Sequence, residues 1–132
     1  MLKLRIEVYF HEMEEIIEAT ASVQLSNITF EKRGTHEGFI RGELHFIDGS
    51  TLHLREFVDV ELTNDRFMYV YQYLDPRGKL VFRYDNTGHH KKLGLSTYPH
   101  HKHTVSKDRV FTSNALELAD VLKEIESHIV FS

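Results

Sequence analysis

Gly38-Phe39-Ile40-Arg41-Gly42-Glu43-Leu44-His45-Phe46-Ile47-Asp48-Gly49-Ser50-Thr51-Leu52-His53-Leu54-Arg55 is the stretch that decides the fold. Ile40, Gly42, Leu44 and Phe46 fall on one parity, and Arg41, Glu43 and His45 on the other. A period of two is that of a β-strand with one face turned to a core. Asp48-Gly49-Ser50 turns the chain, and Leu52, Leu54 and Val58 then oppose His53, Arg55 and Asp59. With Ile47, Asp48 and Gly49 as the loop, the two runs make a hairpin.

Outward from this hairpin the pattern repeats. Upstream, Val23 to Lys32 is rich in β-branched and alternating residues and ends in a turn around Gly34. Downstream, Arg66–Leu74 and Lys79–Asp85 flank Asp75-Pro76-Arg77-Gly78, where proline presets a turn and glycine supplies a left-handed residue. A loop of Pro76, Arg77 and Gly78 pairs Leu74 with Leu80, Gln72 with Phe82, Tyr73 with Val81 and Tyr71 with Arg83. Paired residues share a face. The odd-numbered positions Arg41, Glu43, His45, His53, Arg55, Tyr69, Tyr71, Tyr73, Arg83 and Asp85 then form a second face, polar and aromatic. It reads either as a solvated face or as a binding surface.

The ends of the chain read as helices. Leu2, Ile6, Tyr9, Phe10, Met13, Ile16 and Ile17 have helical spacing over residues 2–18. Ser113 is the expected N-cap of a second amphipathic helix running to about His128. Lys107 to Phe111 reads as a short strand or an extended segment. The expected class is α+β: an antiparallel β-meander of about five strands flanked by N- and C-terminal helices. It forms a single domain over residues 1–132, with both helices on the even-numbered face.

Composition narrows the function. The chain has no cysteine, which removes disulfides, thiolate metal sites and cysteine nucleophiles and suits the cytoplasm. No apolar run approaches the length of a membrane span, and the first residues lack the pattern of a signal peptide, so no membrane role is expected. Neither a Gly-x-Gly-x-x-Gly run nor a phosphate loop occurs, and no cofactor is expected. The net charge of −4 hides an asymmetry: residues 1–65 carry 6 Lys and Arg against 13 Asp and Glu, whereas residues 66–110 carry 9 against 3. An anionic ligand, nucleic acid among the candidates, suits that basic third.

Five of the ten histidines lie in this third, in His89-His90-Lys91-Lys92-Leu93-Gly94-Leu95-Ser96-Thr97-Tyr98-Pro99-His100-His101-Lys102-His103, which lacks apolar periodicity and reads as a loop. Imidazole gives and takes protons near neutrality. Cleaving RNA without metal needs a base for the ribose 2′-hydroxyl, an acid for the leaving 5′-oxygen and cations for the phosphate. His89, His90, His100, His101 and His103 suit the first two roles, Arg83 the third, and Asp85 can orient an imidazole. Arg41, Arg55, Lys91, Lys92 and Lys102 are candidate phosphate contacts, and Tyr71 and Tyr73 candidate base-stacking residues. Two other readings stand beside this one. A metal site drawing on histidines from both ends of the run with Asp85 matches no familiar zinc spacing. A structural loop, or a non-catalytic module gripping a protein or metal, uses the same residues.

Phe82-Arg83-Tyr84-Asp85-Asn86, then His89-His90, then Pro99-His100-His101-Lys102-His103, resembles the TumE-like toxin family of toxin–antitoxin systems. Gly38-Phe39-Ile40-Arg41-Gly42, Asp48-Gly49-Ser50, Arg55-Glu56-Phe57-Val58 and Tyr71-Gln72-Tyr73 extend the resemblance over roughly residues 37–103. Thr87-Gly88 stands where the family usually has Ala-Pro, and Lys91-Lys92 replaces a frequent Pro-acidic pair. The loop is thereby more basic, with its histidines intact. The resemblance implies a small cytoplasmic toxin neutralised by a cognate antitoxin protein; the expectation that it acts on RNA as a histidine-dependent ribonuclease rests on the residues.

Overall fold

The computed structural model describes residues 5–61, 65–86, 101–104, 110–112 and 117–129. Helix α1 (Ile6–Glu18) precedes strands β1 (Val23–Lys32), β2 (Glu37–Phe46), β3 (Thr51–Asp59), β4 (Asp65–Leu74) and β5 (Leu80–Asp85). Two short strands, β6 (His101–Thr104) and β7 (Val110–Thr112), and helix α2 (Leu118–His128) complete the order. All strands form one antiparallel sheet in sequence order. The expected α+β meander between two helices is present. It continues past β5 into β6, where the sequence read as a loop.

Both helices cover one face of the sheet. Ile6, Phe10, Met13 and Ile17 from α1 and Leu118, Val121, Leu122 and Ile125 from α2 are buried against Ile40, Leu44, Phe46, Leu52, Leu54 and Val58. Gly38 admits α1: a Cβ there would meet the Phe10 ring at 2.5 Å and Ile6 Cγ1 at 2.8 Å. The helix start is tied down by the Ile6 N–H, which donates to the Thr35 carbonyl at 2.9 Å. Residues 113–116, and so the expected cap Ser113, lie outside the described residues. Helix α2 is instead capped by Glu117, in a reciprocal capping box with Asp120.

The β2–β3 hairpin has the expected register, with Glu43 opposite His53 and His45 opposite Thr51. The β4–β5 hairpin departs from it. Leu74 pairs with Leu80, but a bulge then shifts the ladder, so Tyr73 faces Phe82, Tyr71 faces Tyr84 and Gln72 faces Arg83. On its other side β4 places Tyr73 opposite Leu52 and Tyr71 opposite Leu54. Odd-numbered residues of β4 therefore face the core, whereas on β2, β3 and β5 the even-numbered ones do. A one-residue shift moves every side chain to the opposite face.

Tyr69, Tyr71 and Tyr73 are accordingly buried to 2% exposure or less, which overturns the expectation that Tyr71 and Tyr73 stack bases. Their hydroxyls make this burial favourable, since a buried phenol needs a partner. The Tyr71 hydroxyl donates to Glu56, as does that of Tyr9 from α1. Tyr73 donates to Ser50 Oγ at 2.8 Å, and Ser50 in turn donates to Asp48. Burial pushes the Tyr73 phenol above its ordinary value; the Ser50 hydrogen bond opposes this, and the charges of Asp48 and Asp75 add to it. Tyr84 donates to Glu124 at 2.5 Å and links β5 to α2.

Candidate functional site

The face of the sheet opposite the helices is polar, and the strand registers arrange it in two rows. One runs Asn27, Glu43, His53, Gln72, Arg83; the other runs Thr29, Arg41, Arg55, Val70, Asp85. Neighbours within a row are directly paired across strands and lie about 5 Å apart at Cα. A groove of 560 Å³ follows these rows, lined among others by Arg41, His53, Arg55, Gln72 and Arg83.

Gly42 shapes its floor. It has φ +152°, and a Cβ there would fall 2.0 Å from the Asn27 carbonyl oxygen and 2.8 Å from Ile28 Cα. Only glycine lets β1 and β2 approach in this way.

The groove carries an excess of positive charge. Arg83 Nε binds Asp85 Oδ2 at 2.9 Å, and Arg83 Nη1 lies 3.4 Å from Gln72 Oε1. The Asp85 side chain is 1% exposed and that of Arg83 34%, so this pair holds the guanidinium at the groove wall. Glu43 is engaged by two histidines: its Oε1 lies 3.0 Å from His45 Nε2, and its Oε2 lies 3.5 Å from His53 Nδ1. Arg41 and Arg55 are direct cross-strand partners, and among the described residues neither has a carboxylate partner. Like charges placed opposite one another repel. A bound anion between them would relieve that repulsion.

Strand β6 extends both rows. In backbone register, position 103 lies opposite Arg83 and position 101 opposite Asp85, with position 102 opposite Tyr84. Directly paired positions belong to one face of a pleated sheet. Positions 101 and 103 therefore continue the groove rows, and position 102 belongs to the core side. His89, His90, Lys91, Lys92 and His100 lie outside the described residues.

Of the predicted residues, Arg41, Arg55, Arg83 and Asp85 thus share one face, joined in register by positions 101 and 103; Tyr71 and Tyr73 do not. Gln72 was missed because the expected register put it on the other face. The buried Glu56 was missed because nothing in its flanks marks it as the partner of two tyrosines. Among the described residues, no group of three or more His, Asp or Glu side chains is placed to hold a metal ion. Among them, too, no helix is long and apolar enough to cross a membrane.

Comparison with curated proteins found no match, and neither did comparison with solved structures. The sequence model of the family described as Toxin TumE matches residues 13–129, which takes in the C-terminal part of α1, the whole sheet and α2. The chain belongs to the TumE toxin family.

Proposed function

We propose that this toxin acts on RNA as a metal-independent endoribonuclease, through the open sheet face and the adjoining histidine segment. The observation that carries this reading is the β5–β6 register, which sets positions 101 and 103 beside Asp85 and Arg83 at the end of an arginine-lined groove. Arg41 and Arg55 bind phosphate, and Arg83 stabilises the charge that develops on it. Histidines of the run His89, His90, His100, His101 and His103, with His101 and His103 foremost, move the protons, and Lys91 and Lys92 add positive charge for the phosphate; Lys102, paired with the core residue Tyr84, is not among the phosphate contacts.

In the reaction a base removes the 2′-hydroxyl proton and the 2′-oxygen forms a bond to phosphorus. The bond from phosphorus to the 5′-oxygen breaks, and an acid protonates that oxygen. The products are a 2′,3′-cyclic phosphate and a 5′-hydroxyl. A histidine mechanism of this kind needs no cofactor. A cognate antitoxin protein that covers the groove blocks substrate entry, and the cytoplasm supplies both RNA and antitoxin.

The test is expression and purification of the wild type and of a His101→Ala/His103→Ala variant. Wild-type toxin should arrest growth and cleave RNA in the presence of chelator, and the variant should do neither while remaining folded. RNA that is bound but left intact by the wild type would identify a binding module instead of a nuclease.

A further inference from the structure

We infer that His53 is the general base of the cleavage reaction and that Glu43 is its positioning residue; the inference rests on the ribonuclease reading above. From the sequence, His53 is placed only on the polar second face, with no role of its own. The structure gives it a more specific setting. Its Nδ1 lies 3.5 Å from Glu43 Oε2, and Glu43 is itself fixed by His45, whose Nε2 is 3.0 Å from Oε1. His45 is held in turn through Nδ1, 3.4 Å from Thr51 Oγ1. Each member of this chain orients the next.

A carboxylate at Nδ1 favours the tautomer protonated there and leaves Nε2 as the basic nitrogen. Among the described residues, His53 Nε2 has no protein partner. His53 also lines the arginine groove. It is two residues from Arg55 along β3, a separation of about 7 Å on the same face. Across the sheet it is paired with Gln72, which is paired with Arg83. A phosphodiester held by Arg41 and Arg55 therefore has its ribose within reach of His53.

The same row gives the second proton carrier its place. Positions 53 and 103 are separated by Gln72 and Arg83, three strand spacings or about 14 Å at Cα. In backbone register Arg83 thus falls between positions 53 and 103. In the balanced step His53 Nε2 takes the 2′-hydroxyl proton, the O2′–P bond forms, the P–O5′ bond breaks, and the histidine segment delivers a proton to O5′. The charged and titratable groups that face His53 are Glu43, His45 and Arg41 from β2, Arg55 from its own strand and Arg83 from β5.

The experiment compares wild type, His53→Ala, Glu43→Gln and His101→Ala/His103→Ala on two substrates: an RNA dinucleotide, and a uridine 3′-phosphodiester with a p-nitrophenol leaving group that needs no acid. His53→Ala should lower kcat/KM on both by about 10²–10⁴-fold, with RNA affinity within twofold of wild type. The histidine-segment variant should fail on the dinucleotide and recover on the activated ester. Glu43→Gln should lower kcat on both substrates with KM within twofold of wild type, and Glu43→Asp should restore part of kcat; a merely structural carboxylate would lower stability and leave kcat of the folded protein in place. His53→Ala with wild-type rates, beside an inactive histidine-segment variant, overturns this assignment alone. A wild type inert on both substrates overturns it together with the ribonuclease reading.

Discussion

Replacing Tyr71 with phenylalanine tests whether the tyrosines of β4 belong to the core or to the substrate. The ring is fully buried and its hydroxyl donates to Glu56, which is itself fully buried between α1 and the sheet. Phenylalanine keeps the ring volume, so no cavity opens and the change isolates the hydroxyl. Loss of one donor to a buried carboxyl costs about 1–3 kcal/mol. For a chain of 132 residues the unfolding entropy near the midpoint is about 0.28 kcal/mol/K, so a loss of about 2 kcal/mol lowers Tm by about 7 °C. Thermal and urea unfolding followed by circular dichroism would read the change, with an unaltered m-value marking it as one of stability. RNA affinity should stay within twofold of wild type. A Tyr71→Phe protein within 0.5 kcal/mol of wild type would refute the account of β4. So would an unchanged stability joined to weakened RNA binding in Tyr71→Ala, the pattern of an exposed stacking residue.

Three other perturbations probe different parts of the structure. Gly42→Ala places a methyl group 2.0 Å from the Asn27 carbonyl at a φ of +152°, so β1 must shift; a loss of more than about 2 kcal/mol is expected, and chemical shifts should change most along β1. Glu7 accepts hydrogen bonds from Lys32 at 2.8 Å and from Arg5 at 3.4 Å, and the Lys32 contact first of all lowers its pKa from 4.5 to about 2. A depressed carboxylate contributes stability above its unfolded pKa and loses it as pH falls from 4.5 towards 2. Carboxyl titration by NMR should find the Glu7 midpoint there and see it rise in Lys32→Ala. For Arg41→Ala and Arg55→Ala, the slope of log affinity for single-stranded RNA against log salt should fall by about 0.7 per variant, read by fluorescence anisotropy. An unchanged slope in both would remove the arginine pair from the RNA path.

The β2–β3 hairpin was legible because its two parities differ sharply: Ile40, Leu44, Leu52 and Leu54 against Arg41, Glu43, His53 and Arg55. Strand β4 was legible as a strand but not in its orientation. Phe67, Tyr69, Tyr71 and Tyr73 alternate with Met68, Val70 and Leu74, so both parities are apolar enough for a core. The decision lay in bulges at Phe57/Val58 and Tyr73/Leu74 and in buried acceptors from distant positions, Glu56 and Ser50. Strand β6 was hidden because His101-Lys102-His103 has no apolar alternation; β5 and β7, which pair with it, supply its backbone partners. The arginines and Asp85 of the candidate site were found from charge and parity alone. The orienting chain through Thr51, His45, Glu43 and His53 needed three-dimensional distances.

End-group analysis of a defined RNA treated with the purified toxin in chelator tests the central claim most directly. The account predicts fragments ending in 2′,3′-cyclic phosphate and 5′-hydroxyl, formed by the wild type and absent with His101→Ala/His103→Ala. Intact RNA with folded, antitoxin-free protein would contradict it, as would fragments bearing 5′-phosphate.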